Sequence, residues 1–277
     1  MIVIQNRGVS SIQFSAECLG ADLQLEEREA DSPLLAKVRR VRFGSDAPAC
    51  VVPDGNWDLL FVRSADGLSV AVQSGQIVAP LCEAGWRGTE VLAVSFRPEV
   101  YMPRWPAQRA ARKDVAPART GAPALRLDSE GSVMPNSRKF EQLVFALNGM
   151  ARPIEGDRRF WVGPERLEIP SFESAEQLVA AMARRGLLEK DRVVARALRG
   201  VRQRLDERTI QRHFAAVAGI TFKGIRQIER AHQAASLLRL GQPAAQVAAE
   251  LGFTDQSHLS HSVKRILGLT PRQLASR

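Results

Sequence analysis

The stretch "GFTDQSHLSHSVKRILGLTP", from Gly252 to Pro271, concentrates hydrogen-bonding side chains on a nearly uncharged helix. Its Gly and Asp positions predict a turn and then a helix over 256–266 that is capped by Asp255. The apolar residues of this helix recur at i, i+4 and i+7 and would face the protein core. The opposite face keeps amide, hydroxyl and imidazole groups, which can donate to and accept from the edges of DNA bases. These groups belong to Gln256, Ser257, His258, Ser260 and His261.

The residue types give little support to metal or catalytic chemistry. His258 and His261 stand three residues apart, a spacing that could bind zinc, but no cysteine or second histidine cluster accompanies them. All four histidines follow Lys190, so the earlier part of the chain has no histidine ligand for a catalytic metal. The G-x-S-x-G, P-loop and G-x-G-x-x-G motifs are also missing from the sequence. We therefore expect no enzyme activity, no metal and no cofactor.

Positive charge is concentrated at one end of the chain. The 277 residues include 39 Lys+Arg and 30 Asp+Glu, which gives a net charge of +9. From Arg184 to Arg277 there are 18 basic and 7 acidic residues, so the whole positive excess lies in the last third. Such an excess favours a polyanionic partner, although a basic surface that only aids solubility is the plainer explanation.

The basic region contains an internal repeat. "DERTIQRHFAAVAGITFKGI", residues 206–225, aligns with "DQSHLSHSVKRILGLTPRQL", residues 255–274, at a constant offset of 49. Asp, Gly and Thr recur at matched positions, and apolar residues match apolar residues at three more. Between the two copies lies a predicted helix of about 18 residues, which would be about 27 Å long. The sequence therefore predicts two copies of one helical unit joined by a long helix.

The second copy has the layout of a helix-turn-helix: "PAAQVAAELGFTDQSHLSHSVKRI" reads as a helix that begins near Pro243, a glycine turn at Gly252 and a second helix. With its flanks it resembles the carboxyl-terminal signature of the AraC family of transcriptional regulators. The resemblance covers roughly Asp191 to the end and rests on A-x-x-L-L-x-x-G, L-G-F-x-D-Q-S-H and K-R-x-x-G-x-T-P. It implies two helix-turn-helix units whose recognition helices, about 207–217 and 256–266, enter successive major grooves of promoter DNA.

The same resemblance assigns contacts to individual residues. In the first recognition helix, the base-facing positions are held by Arg208, Gln211 and Arg212. In the second they are held by the five polar residues named above, from Gln256 to His261. Phosphate contacts, which position the protein without reading the sequence, fall to Lys264, Arg265 and Arg272. For each of these side chains, simple solvation is the alternative.

The first part of the chain has a different character. Short β-prone runs such as "KVRRVRF", "WDLLFVR", "LSVAVQ", "GQIVAP" and "VLAVSFRP" are separated by Gly, Pro and Asp, which predicts a small barrel or sandwich. "VVPDGNWDLLFV", "GQIVAP" and "VLAVSFRPEVY" resemble the cupin-like sensor domain of some AraC-family members. This resemblance makes Asp54, Trp57 and Asp58 candidates for an effector pocket. The alternative is a structural turn with Trp57 in the core.

The predicted fold class is α+β: a small cupin-like β-barrel over 1–128, a helical linker over 129–186 and an all-α double helix-turn-helix domain over 187–277. Helices are predicted in the linker at "SRKFEQLVFALNGM" and at "SFESAEQLVAAMARRG", the second with a capping box formed by Ser174 and Gln177. The apolar faces of these helices are interpreted as core or homodimer contacts. A small-molecule effector, if there is one, is expected to bind the barrel.

Neither a membrane span nor a signal-peptide layout is found, so we expect a cytoplasmic protein. Cys18, Cys50 and Cys82 form no C-x-x-C pair and are interpreted as reduced thiols, with a thiol sensor as the alternative. The rival to a regulator is a thiol- or ligand-binding protein whose basic tail binds nucleic acid without specificity.

Overall fold

A five-stranded antiparallel sheet dominates the first part of the chain. The computed structural model describes residues 22–46, 49–65, 67–73, 81–83, 86–103, 151–153, 158–162 and 165–276. The strands that precede residue 102 are β1 (Leu23–Glu29), β2 (Leu35–Phe43), β3 (Ala49–Val51), β4 (Trp57–Ser64), β5 (Gly67–Gln73), β6 (Leu81–Glu83), β7 (Glu90–Phe96) and β8 (Val100–Tyr101). The sheet has the order β1-β2-β7-β4-β5, and β3 pairs separately with β6, where Cys50 lies opposite Cys82 in register.

One face of this sheet is covered by the linker elements. These are the strands β9 (Ala151–Pro153), β10 (Arg159–Val162) and β11 (Glu165–Glu168) and the helix α1 (Ala175–Arg184). Trp57 stacks on Phe96 with ring centroids 4.0 Å apart, and Phe61 meets Phe160 of β10 edge to face at 5.1 Å. Met182 of α1 is fully buried in the same apolar cluster. The linker is therefore packed against the sheet.

The opposite face of the sheet combines an apolar half with buried charge. Val41, Phe43, Leu60, Val91 and Ala93 form an apolar cluster near one end of the strands. Toward the other end, Lys37, Ser95 and Asp58 lie side by side in register on β2, β7 and β4. Arg39 is only 1% exposed and donates to both Asp58 carboxylate oxygens at 3.3 Å and to Ser95 Oγ at 2.9 Å.

From Glu189 onward the chain is helical except for a two-residue strand. The elements are β12 (Glu189–Lys190), α2 (Arg192–Leu198), α3 (Glu207–Val217), α4 (Phe222–Arg239), α5 (Ala244–Glu250), α6 (Gln256–Leu267) and α7 (Pro271–Ala275). Buried residues of all six helices form one apolar cluster around α4. β12 pairs antiparallel with β8. This pairing joins the helical part to the short strand that directly follows β7 of the sheet.

The internal repeat is confirmed in the structure. Asp206 caps α3 and Asp255 caps α6, each with a carboxylate that accepts a backbone N–H. Thr221 caps α4 and Thr270 caps α7 in the same way. The Asp cap and the Thr cap have the same spacing in both copies, because the matched local sequences begin their helices at matched positions. The two units differ in their turns, since the loop from α2 to α3 is three residues longer than the loop from α5 to α6.

Several sequence predictions are refined by these elements. The α+β class is confirmed, but the described strands do not close into a barrel, so the barrel stays a prediction. The predicted capping box of α1 is wrong: the Ser174 side chain makes no cap, and its hydroxyl accepts from the backbone N–H of Ser171 instead. Pro243 is the N-cap of α5, one position before the first helical turn. The predicted helix over 137–150, the run "GQIVAP" and Cys18 lie outside the described residues.

The buried ion pair gives a test of the sheet. Replacing Asp58 with Ala should lower the free energy of unfolding by about 3–5 kcal/mol, because the buried Arg39 loses its carboxylate. Urea denaturation followed by tryptophan fluorescence measures the change. Glu26→Ala is the matched control, since Glu26 pairs with Arg40 at the surface of the same sheet and should cost less than about 1 kcal/mol. Equal losses in the two variants would contradict this account of the buried pair.

Candidate nucleic-acid interface

The first predicted recognition helix, α3, presents its polar residues to solvent. Phe214 and Val217 anchor its inner face in the apolar cluster. Arg208, Gln211 and Arg212 are exposed on the other side. Gln211 donates to Glu207 Oε1 at 3.0 Å and Arg212 to Thr209 Oγ1 at 2.9 Å, both within the helix. Exposed contacts of this kind exchange readily with water, so these side chains can rearrange toward a ligand.

The second predicted recognition helix, α6, is anchored in the same way by Leu259, Val263 and Ile266, all buried. Gln256, Ser257, His258 and His261 are exposed and Ser260 is half-buried. The Ser260 hydroxyl donates to the carbonyl of Gln256 at 2.8 Å, so its acceptor lone pairs remain for a partner. The structure therefore brings the five predicted residues together on the first two turns of one helix.

The two histidines of α6 present opposite hydrogen-bonding groups. The backbone N–H of Thr254 donates to His258 Nδ1 at 3.3 Å, so the neutral ring carries its proton on Nε2. His261 Nδ1 lies 2.8 Å from the carbonyl oxygen of Ser257, which can only accept, so this ring carries its proton on Nδ1. Neutral His258 thus offers a donor at Nε2, and neutral His261 offers an acceptor. The sequence alone showed two imidazoles and could not distinguish their tautomers.

The candidate phosphate contacts lie at the end of the second predicted recognition helix and just after it. Lys264 and Arg265 lie in the last turn of α6, and Arg272 lies at the start of α7. All three are exposed. The Arg265 guanidinium donates to Gln227 Oε1 of α4 at 3.2 Å, which holds it toward α4.

A basic groove on α4 was missed in the sequence, because the long helix was interpreted only as a connector. The groove has a volume of about 410 Å³ and is lined by Lys223, Arg226, Gln227, Glu229, Arg230, Gln233 and Leu251. Arg230 lies 4.3 Å from the centre of the Phe253 ring and donates to the carbonyl of Gly252. Arg226 lies over Phe222 and donates to the carbonyl of Leu198. Each arginine thus reaches the end of the first helix of one unit.

The three candidate pocket residues do not face one cavity. Trp57 is buried against Phe96, and its indole N–H donates to the carbonyl of Val100 at 2.7 Å. Asp58 is buried on the opposite face of the sheet with Arg39. Asp54 accepts from the backbone and side chain of Asn56 and forms a local turn, with Lys37 Nζ at 3.8 Å. Their role in effector binding stays a prediction.

The turn that contains Asp54 instead lies against α4. Val52 is buried in the helical cluster around α4. The carbonyl of Pro53 accepts a hydrogen bond from His232 Nε2 of α4 at 2.7 Å. Gly55 has φ +80°, and a Cβ at this position would lie 3.6 Å from Ile225. The turn from Val52 to Gly55 therefore forms a direct contact between the sheet and the helices, which the sequence did not indicate.

Metal and membrane chemistry can be checked on the described part of the chain. Among those residues no group of three or more His, Cys, Asp and Glu side chains could hold a metal ion. Within the same residues, no helix combines the length and the apolarity that crossing a membrane requires.

Comparison with known proteins identifies the helical part. Residues 202–277 match a family model described as a helix-turn-helix domain. The regulators named HTH-type transcriptional regulator VirS from two Mycobacterium tuberculosis strains, CDC 1551/Oshkosh and ATCC 25618/H37Rv, are each 36% identical over 113 residues. This match covers 38% of the chain and only 30% of each regulator, so the chain spans about a third of the length of these relatives.

Two solved structures of ToxT from Vibrio cholerae O395 also align with the chain. One, without a named ligand, has 9% identity, covers 92% of this chain and 97% of ToxT, and has a TM-score of 0.32. The other, bound to (E)-4-(8-methylnaphthalen-1-yl)but-3-enoic acid, has 9% identity, covers 92% and 98%, and has a TM-score of 0.31.

The contact between His232 and Pro53 predicts a dependence of stability on pH. Burial of the imidazole lowers the pKa of His232 from 6.5. The unfolded chain therefore takes up a proton first as pH falls below about 6.5, and the folded state loses stability until the lower, folded-state pKa is reached.

Urea denaturation at pH 7.5, 6.5 and 5.5 measures this loss. In His232→Gln, whose amide can still donate to Pro53, the decline should be smaller than in the unmodified protein. His261→Gln, at an exposed position of α6, is the control and should leave the decline unchanged. If His232→Gln and the unmodified protein lose stability in parallel, His232 does not carry the effect.

Proposed function

We propose that this chain, whose residues 202–277 are a helix-turn-helix domain of the AraC type, is a regulator that binds specific promoter DNA through two recognition helices. The observation that carries the proposal is the repeat of one unit with two exposed polar helix faces, on α3 and α6. The α4 helix of 18 residues joins them and is about 27 Å long. Successive major grooves on one side of B-DNA are about 34 Å apart, so modest bending of the DNA brings both grooves within reach.

The two faces have different chemistry. Arg208 and Arg212 make the first face cationic, and Gln211 adds an amide. Arginine pairs with guanine and glutamine with adenine in the major groove. We expect the first unit to contribute more of the affinity that depends on salt concentration, because its two guanidinium groups are charged and exposed.

The second face is neutral and reads bases through hydrogen bonds. The Nε2–H of His258 is a donor, which suits the acceptors of guanine or the N7 of adenine. The Nε2 of His261 is an acceptor, which suits the amino group of cytosine or adenine. Gln256, Ser257 and Ser260 add groups that can both donate and accept. We therefore expect the second unit to contribute more of the sequence preference.

The sheet is the candidate sensor. The proposed domains are a sensor over 1–128, a linker over 129–186 and the DNA-binding domain over 187–277, with a cupin-like barrel as the proposed form of the first. A small effector would bind within 1–128, and Asp54, Trp57 and Asp58 remain the candidate residues near it. A homodimer, a cytoplasmic location and the lack of catalytic activity are part of the same proposal.

Base-substitution scans test the division of work between the two helices. Arg212→Ala and Gln256→Ala should each cost about 1–3 kcal/mol on the cognate site and relax the preference at separate base pairs about one helical turn apart. Footprinting on the DNA that flanks the gene of this protein supplies the site. If both variants lose discrimination at the same base pairs, the two-groove arrangement is wrong. Equal affinity of the unmodified protein for the native fragment and for random DNA would favour a non-specific basic tail.

Salt titrations test the phosphate contacts. Lys264→Ala should weaken binding to all sequences alike and reduce the slope of log K against log salt by about 1, because one phosphate contact is lost. Arg63→Ala is the charge-matched control, since Arg63 is exposed on β4 of the sheet and should leave the slope unchanged. A slope that Lys264→Ala does not alter would remove Lys264 from the interface.

A further inference from the structure

Asp191 stands where the strand pairing of the first part meets the first helix-turn-helix unit. The preceding strand β12 pairs with β8, with Lys190 opposite Val100 and Glu189 opposite Tyr101. The backbone N–H of Asp191 then donates to the carbonyl of Glu99 at 2.8 Å. The Tyr101 hydroxyl donates to Glu189 at 2.7 Å beside this pairing. The backbone of Asp191 is therefore fixed by the segment that follows the central strand β7.

The side chain of Asp191 holds two helices at once. Its Oδ1 accepts from the backbone N–H groups of Val193 at 2.8 Å and Val194 at 2.9 Å, which caps α2. Its Oδ2 lies 2.7 Å from Nδ1 of His213, which belongs to α3. The Asp191 side chain is only 12% exposed, so water competes weakly for these bonds. His213 directly follows Arg212, and Gln211 precedes both.

The second unit is built without this joint. The residue that caps its first helix α5 is Pro243, which has no side-chain cap. At the repeat offset of 49 residues, the position of His213 is occupied by Ser262. The two units are otherwise alike in their caps and apolar positions. The contact through Asp191 is therefore not a general requirement for forming a unit of this kind.

We propose that Asp191 is a positioning residue through which the strand β8 sets the orientation of the first recognition helix on DNA. This inference rests on the proposed function. The backbone N–H of Asp191 bonds to Glu99, and its carboxylate bonds to the start of α2 and to His213 of α3. The three bonds of the carboxylate involve a charged group and are stronger than neutral ones. A displacement of β8 relative to the sheet is therefore transmitted to α3, which carries Arg212, through the Asp191 side chain and the His213 ring.

The experiment compares base preference at the two halves of the DNA site, in the full chain. Asp191→Ser keeps an N-cap oxygen but is too short to reach His213. It should reduce discrimination about tenfold at the base pairs read by α3 and leave those read by α6 unchanged. His213→Phe should have the same effect, and the double variant should be no worse than either single one. Asp191→Asn, which can cap and still bond to the imidazole, should restore discrimination to within about threefold.

Asp255→Ala is the matched control, since it removes the cap of α6 and should affect only the second half of the site. Equal losses at both halves in Asp191→Ser, wild-type discrimination in that variant, or additive effects in the double variant would overturn the proposal. A general loss of folding would lower the fraction of protein that binds any DNA without changing its preference among bases, so it is distinguished from a loss of discrimination.

A measurement without DNA separates this inference from the proposed function. If the unmodified protein does not prefer the native fragment over random DNA, the proposed function fails, but the joint is still testable by hydrogen exchange. In Asp191→Ser, amide exchange should be faster in α3 than in the unmodified protein and unchanged in α6. Unchanged exchange in α3 would overturn the joint.

Discussion

The burial of one face of α4 is the constraint on which the remaining helices depend. Ile225, Ile228 and Leu238 supply its bulk, and Ala231, Ala234 and Ala235 let other elements approach closely. The other helices from α2 onward all contribute to the cluster around this face. Because a helix of this length is stiff, both units take their relative position from it. Under the proposed function, the reading of two DNA segments would therefore depend first on this buried apolar surface.

The outer face of α4 is polar and basic, and it also contacts both units. Arg226 and Arg230 are four residues apart, and each combines a ring contact with a carbonyl at the end of the first helix of one unit. Cations are stabilised at the carboxyl ends of helices by the helix dipole. The same guanidinium groups also line the basic groove on α4, where they add positive potential. Arg226 and Arg230 therefore both stabilise the packing of the helices and contribute to the positive potential of the groove.

Local signals in the sequence predicted the helical part well. Asp255 was predicted to cap α6, and the repeat matched it with Asp206 and matched Thr221 with Thr270. All four are N-caps, and a cap depends on residues within one turn of the chain. The buried strands β2, β4, β5 and β7 were also indicated, whereas β1 was missed because its run of four charged residues, in "LQLEERE", resembles a surface loop. The capping box predicted at Ser174 was wrong because Ser171, three residues earlier, binds the Ser174 hydroxyl. The bonds of Arg39 with Asp58, of His232 with Pro53 and of His213 with Asp191 join residues that are distant in sequence. No local pattern contains them, and for this reason the contact between the sheet and the helices was not foreseen.

The seating of Val52 within the helical cluster bears on how such a protein could diversify. A sensor and a DNA reader that touch only through a flexible linker can be recombined by gene fusion, since each half keeps its own core. Here one half lends an apolar side chain to the interior of the other, beside a glycine, Gly55, whose backbone conformation few other residues adopt. Exchange of the sheet alone would leave a cavity among the helices at the position of Val52. The two halves are therefore expected to be inherited together, and change in the sheet would arise by substitution within it more readily than by its replacement.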